Sequence, residues 1–384
     1  MTNNLPPIQT LPTSALSNVL DFLKSQYGAA YYGADPNYFN WFFGSVPCRW
    51  FAPERDKGML PANAMLGSDG EILAIHIYLP FDCLSPWGGK RGVFDEEWIN
   101  GANIPGAGRV LATHLLASCD IYAGLGCNDL SENAFRKLGL DFSNETPRLV
   151  ALLSASGLND LLRRSGFEDQ LSDPRHETTS LAPWHLLPIA ACLSQDIFTH
   201  HRDVIRIGVD RSNDWLSWRY DNHPYITYHC ISPDPDGRSG AAIVRLEAVA
   251  GTDLQNARIV DFLPAPDAAP QVLAAALSFA RDHQCLIADF WTTAKSTADR
   301  LMAAANAAGI LLLRNPRIPY MYQPCAFGKR NGVNLAIAIG GQSAGQDASL
   351  QDFHTVKADS PQDILRHPDS GAILLRKPSY QSTK

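Results

Sequence analysis

Two stretches of this chain repeat one another. Tyr38-Phe39-Asn40-Trp41-Phe42-Phe43-Gly44-Ser45-Val46-Pro47 aligns without gaps on Trp215-Leu216-Ser217-Trp218-Arg219-Tyr220-Asp221-Asn222-His223-Pro224. A repetition of this kind means that one structural unit has been used twice. The elements downstream keep the same order. An Asp-Gly hairpin turn at Asp69-Gly70 joins the strand-like runs Ala62–Leu66 and Ile72–Pro80, and one at Asp236-Gly237 joins Tyr225–Ile231 and Ala241–Val249. A helix then ends at Gly139 in the first half and at Gly309 in the second, where a left-handed cap suits glycine. The chain has 384 residues, more than the roughly 100 to 200 of one ordinary core. Two α/β domains are therefore expected, at residues 1–170 and 196–384. Residues 171–195, rich in Pro, His, Ser and Asp, would be the connector, and Asp352 to Ala358 a closing strand of the second domain.

Composition removes several classes of function. Hydrophobic residues are 45% of the chain and charged residues 18%, which gives each half enough apolar material for a core and excludes global disorder. The formal net charge is -7 with Lys and Arg scattered, which argues against a nucleic-acid partner held by phosphate contacts. Residues Met1 to Leu20 show no basic region ahead of an apolar core, and no apolar run reaches the roughly 18 residues of a membrane span. The expectation is a cytoplasmic protein with no membrane partner. The eight cysteines include no pair at the two-residue spacing of a zinc or redox site, so they read as small buried hydrophobes and no metal is expected.

Chemistry concentrates in the first half. Trp98 to Pro105 reads as a strand that runs into Gly106-Ala107-Gly108-Arg109 and then a helix from Val110 to Ser118. Strand, glycine turn and helix in that order suit an anion, because small residues admit backbone amides to a phosphate and the helix start adds unpaired N–H groups. A plain tight turn has the same pattern. After the next strand, Ile121 to Gly126, the chain reads Asn128-Asp129-Leu130-Ser131-Glu132-Asn133-Ala134-Phe135-Arg136-Lys137-Leu138-Gly139. Asn, a small residue three on, an aromatic seven on, Lys nine on and Gly eleven on resembles the fourth-helix signature of the GNAT superfamily of acyl-CoA N-acyltransferases. The Gly106 to Arg109 turn falls where that family has its pyrophosphate loop.

The resemblance implies an α+β fold of two tandem GNAT-like domains, each a mixed, mainly antiparallel sheet flanked by helices, with two central strands splayed to admit pantetheine. It implies acetyl-CoA or another acyl-CoA as donor, with an acyl carrier protein as the alternative thioester source. The amides of Gly106, Ala107, Gly108 and Arg109 would hold the pyrophosphate, and Asn128 with Ser131 would line the pantetheine arm. The sequence departs from the family at Pro105 and Val110, where the loop usually has Arg or Gln and Gly or Ala, and Pro105 brings no amide. It also departs at Phe135, where the family often has the tyrosine that protonates the leaving thiolate.

Amide formation needs a deprotonated amine, a stabilised oxyanion and a leaving thiolate. A thiol of pKa near ~8.5 leaves with little help, so loss of the acid costs less than loss of the base. Glu97 matches a position where many GNAT members carry a catalytic glutamate; an exposed acidic strand end is the alternative reading. Tyr122 and His76, on strands near the cleft, are further candidates, although strand His and Tyr residues usually belong to the core.

The second half lacks the signature. Pro264, Pro266 and Pro270 occupy the place of the glycine turn, and Ala298 and Ala305 stand where Asn and the aromatic would be. Its Arg219, His223 and Tyr228 are candidate acceptor-binding residues for a small molecule such as an amino sugar. Two rivals use the same fold: a FemABX-like aminoacyl transferase using charged tRNA, opposed by the net charge, and a non-catalytic binding protein.

Overall fold

The computed structural model describes residues 5–29, 31–125, 129–143, 146–164, 173–178, 182–189, 200–201, 205–249, 253–316, 335–339 and 352–355. They form two compact units. The first contains strands β1 (Ile8–Pro12), β2 (Met59–Leu66), β3 (Ile72–Leu84), β4 (Lys90–Ile99), β5 (Ile121–Leu125) and β6 (Asp141–Ser143). The second contains β7 (Arg148–Leu152), β8 (His185–Leu187), β9 (Ile207–Val209), β10 (His229–Ser232), β11 (Gly240–Ala248), β12 (Gln255–Pro264), β13 (Cys285–Trp291) and β14 (Leu312–Arg314). β15 (Leu335–Ile339) returns to the first unit, and the short β16 (Phe353–His354) lies in the second and pairs in parallel with β9.

The two sheets have one topology. The first runs β1-β2-β3-β4-β5-β15-β6 and the second β8-β10-β11-β12-β13-β7-β14. In each, neighbours are antiparallel except the fourth and fifth strands, which are parallel. Each unit therefore fills its sixth position with a strand remote in sequence. This corrects the expected division at residues 170 and 196. Arg148–Leu152 lies between Cys285–Trp291 and Leu312–Arg314, so its backbone groups are satisfied in the second sheet, and Leu335–Ile339 does the same in the first. Of the closing strand expected at Asp352 to Ala358, Phe353–His354 is a short strand paired with β9, and residues 356–358 lie outside the described residues.

The aromatic repeat has one local structure in both units. Pro36–Phe39 is a helical turn capped by Asp35, whose carboxylate accepts the Tyr38 N–H at 2.8 Å, and Asn213–Leu216 is capped by Ser212, whose hydroxyl accepts the Trp215 N–H. Each turn passes into a π-helical segment, Asn40–Gly44 and Ser217–Asp221. The wider turn of a π-helix suits the crowded rings: Trp41, Phe42, Phe43, Trp218 and Tyr220 are all buried. Gly70, Gly139, Gly237 and Gly309 all have positive φ, so the turns and caps read from the sequence are where they were expected.

Two of the strand boundaries that differ from expectation bear on the site. Trp98 to Pro105 is not a strand: β4 ends at Ile99, and the Asn100 side chain closes the following loop by donating to the Ile104 carbonyl and accepting the Ile104 N–H. Glu97 consequently lies near the end of β4 rather than at its start. Tyr225 to Tyr228 is irregular because the His223 imidazole accepts the N–H groups of Tyr225 and Ile226, leaving β10 to begin at His229.

Candidate active site

The first unit's site grows from one defect in one strand. Along β3 and β4, Tyr78 pairs with Asp95 and Ile77 with Glu97, so Glu96 is an extra residue and β4 bulges there. The bulge turns Asp95 and Glu97 to opposite faces of the sheet, Asp95 with Tyr78 and Glu97 with Ile77. On its other edge β4 pairs with β5 from Gly92–Ile121 to Asp95–Gly124 and no further. Beyond Asp95, Glu97 to Ile99 pair with β3, and residues 126–128, which follow β5, lie outside the described residues.

Past the end of β4 stands the helix Ala107–Ser118, whose N-cap is Gly106 with φ +86°. Only glycine takes this left-handed position cheaply. The Ala107 N–H is held by the Ile104 carbonyl at 3.2 Å. The amides of Gly108 and Arg109 belong to the first turn, where no intrahelical acceptor exists, and Arg109 is exposed. Trp98 fixes this turn by donating its indole N–H to the Gly108 carbonyl at 3.0 Å. A Cβ on Gly108 would lie 3.1 Å from that indole nitrogen, so Gly108 is needed for the approach of Trp98. In the second unit the same place is a turn closed on itself, with Ala265 N–H on the Ser239 carbonyl and Ala268 N–H on the Ala265 carbonyl, followed by Pro270 in the first turn of the helix Ala269–Asp282.

Glu97 is 5% exposed, and the buried Tyr31 donates its hydroxyl to Glu97 Oε1. Tyr31 was not legible as a site residue, since it lies 66 positions from Glu97 and nothing local pairs them. Tyr122 lies on the opposite face: its hydroxyl is 3.4 Å from His76 Nε2, and its ring packs edge-on against Phe135. The structure therefore does not bring Glu97 and Tyr122 together. Ser131 lies in the helix Asp129–Lys137, partly buried, and Asn128 lies outside the described residues.

His76 is 0% exposed. Its Nε2 is 2.6 Å from Asp95 Oδ1, its ring stacks on Trp98, and its Nδ1 has no hydrogen-bond partner among the described residues.

The second unit keeps the bulge, supplies a tyrosine from a different place in the repeat, and pairs the carboxylate with an arginine. Ile243 pairs with Asp261 and Val244 with Ile259, so Val260 is the extra residue and Asp261 stands in register with Glu97. Tyr220 donates to Asp261 at 2.9 Å, as Tyr31 does to Glu97. Asp261 also takes the Nε–H of the fully buried Arg211 at 2.9 Å. Although burial opposes it, the Arg211 charge holds the Asp261 carboxyl below its ordinary range. A carboxylate so paired is poorly placed to accept a proton. Arg219 and His223 are brought round Tyr228, with the Arg219 guanidinium 5.8 Å from its ring centre and the His223 ring 5.7 Å away, and all three are buried.

No helix among the described residues is long and apolar enough to cross a membrane, and no group of three or more His, Cys, Asp or Glu among them is placed to hold a metal ion.

The chain has the fold of the GCN5-related N-acetyltransferases, used twice. A GCN5-related N-acetyltransferase from Anabaena variabilis superposes with a TM-score of 0.52 at 12% identity, over 87% of this chain and 72% of the other. A Saccharomyces cerevisiae N-myristoyltransferase solved with bound myristoyl-CoA and inhibitors gives 0.48 at 10% identity, over 91% and 86%. A probable N-acyltransferase from Enterococcus faecalis gives 0.48 at 11% identity, over 87% and 72%. No family model matches the sequence, and no curated protein matches it.

Proposed function

We propose that the first unit transfers an acyl group from a CoA thioester, acetyl-CoA or another acyl-CoA, to an amine or hydroxyl of a small metabolite such as an amino sugar. One observation carries this reading: the bulge of β4 at Glu96, with Glu97 just past it, stands on the strand that leads to the helix start at Gly106. In this reading an extended amide-bearing arm such as pantetheine runs along β4 toward the glycine turn. The first-turn amides of Gly108 and Arg109 suit its pyrophosphate. The fold shared with the Anabaena N-acetyltransferase supports the same chemistry.

Glu97 is the base of this mechanism. The Tyr31 hydroxyl donates to one carboxylate oxygen, which fixes the rotamer. The other oxygen takes the proton of the attacking amine or hydroxyl as the new bond forms. The second unit, with Asp261 paired to Arg211 and no glycine turn, has no such base or anion site. Its part in this reading is acceptor recognition through Arg219, His223 and Tyr228, or support.

Thermal unfolding with and without CoA tests the donor. Native-state binding at 100 times Kd adds about 2.7 kcal/mol by mass action, which is several degrees of Tm. Glu97→Gln should keep that shift and lose at least 100-fold in turnover. Absence of any shift at millimolar CoA would move the reading to a binding protein for another ligand or to the aminoacyl-transfer alternative.

A further inference from the structure

The second unit holds a segment that its sheet does not need. β16 pairs with β9 alone, Phe353 with Ile207 and His354 with Gly208, and the seven-stranded sheet of this unit is complete without it. The segment belongs to the second unit although β15, the strand before it, lies in the first. We propose that Asp352 to Thr355 is a resident peptide in a peptide-binding slot of the second unit, and that an extended peptide with a polar side chain at the place of His354 exchanges with it there. This holds whether or not the first unit is an acyl-CoA site.

The slot reads backbone. Thr293, just past β13, holds the segment three times: its N–H donates to the Thr355 carbonyl at 3.1 Å, its hydroxyl donates to the Phe353 carbonyl, and the same hydroxyl accepts the Thr355 N–H at 2.9 Å. Together with the parallel pairing to β9, these bonds go to main-chain groups that any extended peptide offers. One side chain is read as well. His354 Nδ1 lies 3.3 Å from the Thr292 hydroxyl and 3.0 Å from that of Thr297, in the first turn of the helix Lys295–Ala307. Hydroxyls both donate and accept, so this pocket suits other polar side chains too.

Gly208 is matched to an occupant. A Cβ there would lie 2.6 Å from the His354 carbonyl oxygen and 3.3 Å from the His354 Cβ. Its φ is outside the left-handed region, so the approach of the segment, and not the backbone conformation, calls for glycine. The first unit shows the alternative. Asp35 and Ser212 cap the repeated turns, and four residues before them stand Tyr31 and Gly208. Tyr31 is buried and donates to Glu97, whereas Asp261, the counterpart of Glu97, takes its bond from Tyr220 instead. The second unit has given up the side chain at this place, and a segment from a remote part of the chain stands beside the bare backbone.

The resident is imperfectly matched. His354 Nε2 and His201 Nε2 have no hydrogen-bond partner among the described residues, although the two residues are 3% and 5% exposed and their ring centres are 6.1 Å apart. A buried polar atom left unmet costs stability. One of these atoms belongs to the segment and the other to the wall of the slot, so both are relieved when the segment leaves and water or a better-matched side chain enters. Departure breaks no ladder of the seven-stranded sheet. A piece held in this way opens at less than the cost of global unfolding.

The probe is a fluorescent peptide with the sequence of residues 349–358, titrated into the full chain and followed by anisotropy. In the native chain the covalent segment competes at high effective concentration, so replacing Phe353→Ala and His354→Ala together should tighten binding of the probe by about ten-fold or more. Adding Gly208→Val, which blocks the approach to β9, should abolish it. A double variant that melts cooperatively but binds the probe no more tightly than the native chain overturns the proposal, and so does binding that survives Gly208→Val. If either variant fails to fold, hydrogen exchange of the native chain decides. The Thr355 N–H should then exchange faster than the amides of β13; exchange of both at one rate would mean that the segment leaves only on global unfolding, and the proposal fails.

Discussion

His201 and His354 form a buried pair in the second unit, their ring centres 6.1 Å apart. Burial is the main reason that the His201 pKa falls to about 3, and the Arg211 and Arg300 charges push the same way against Asp261. His354 is held well below its ordinary value for the same leading cause. Below about pH 6.5 the unfolded chain takes up protons at these positions and the native chain does not. Stability therefore falls as the pH drops from about 6.5 toward 3, by up to about 1.4 kcal/mol per pH unit for each group. The urea midpoint should fall between pH 7 and pH 5, and His201→Phe should reduce that fall. Equal pH dependence in the two proteins would refute the assignment. This pair was invisible in the sequence, because its two members lie more than 150 positions apart. The Tyr31–Glu97 and Asp95–His76 bonds were illegible for the same reason, since each joins parts of the chain that no local pattern pairs.

At the scale of elements, the contact between Trp98 and the start of the Ala107–Ser118 helix decides how the glycine turn is built. The bond from the indole N–H to the Gly108 carbonyl is worth about 0.5 to 1.5 kcal/mol. Trp98→Phe should lower stability by about that amount and weaken CoA binding several-fold, because the turn loses its tether. Gly108→Val should do more, since its Cβ meets the Trp98 indole at 3.1 Å and the branched chain adds to the crowding. Loss of the CoA isotherm with a lower Tm is expected for Gly108→Val, while Ala268→Val in the self-closed turn of the second unit should leave CoA binding intact. Calorimetry on the two variants decides it, and a normal CoA isotherm for Gly108→Val would place the donor elsewhere. The helix and its glycine start were legible because propensity and capping are local. The end of β4 was not, because the apolar residues Trp98, Ile99 and Ile104 continue a strand-like pattern that the Asn100 side chain interrupts.

The repeat announced two like units, and the shared strand order bears out one topology for both. Where the units begin and end was hidden, because the sixth strand of each sheet comes from a distant part of the chain and a five-residue apolar run carries no mark of the sheet it will join. Arg148 shows what fixes the choice. Its guanidinium is 1% exposed and donates to Asp289 on β13 at 2.9 Å, and Asp289 also accepts from Arg258 on β12. Removing one member of such a buried set costs about 3 to 5 kcal/mol. A fragment of residues 1–170, the unit that the sequence alone suggests, would contain Arg148 without Asp289 and would lack β15 between β5 and β6. The edge of β5 would then expose its unpaired N–H and C=O groups, and β7 would be a strand without a sheet. The fragment should fail to give a cooperative thermal transition by circular dichroism and should aggregate, whereas the full chain melts cooperatively. Adding residues 331–343 as a separate peptide should restore solubility in part by supplying the missing strand, at a concentration cost that the covalent chain avoids. A soluble, cooperatively folding 1–170 fragment would show that the sixth position of the first sheet can close without β15.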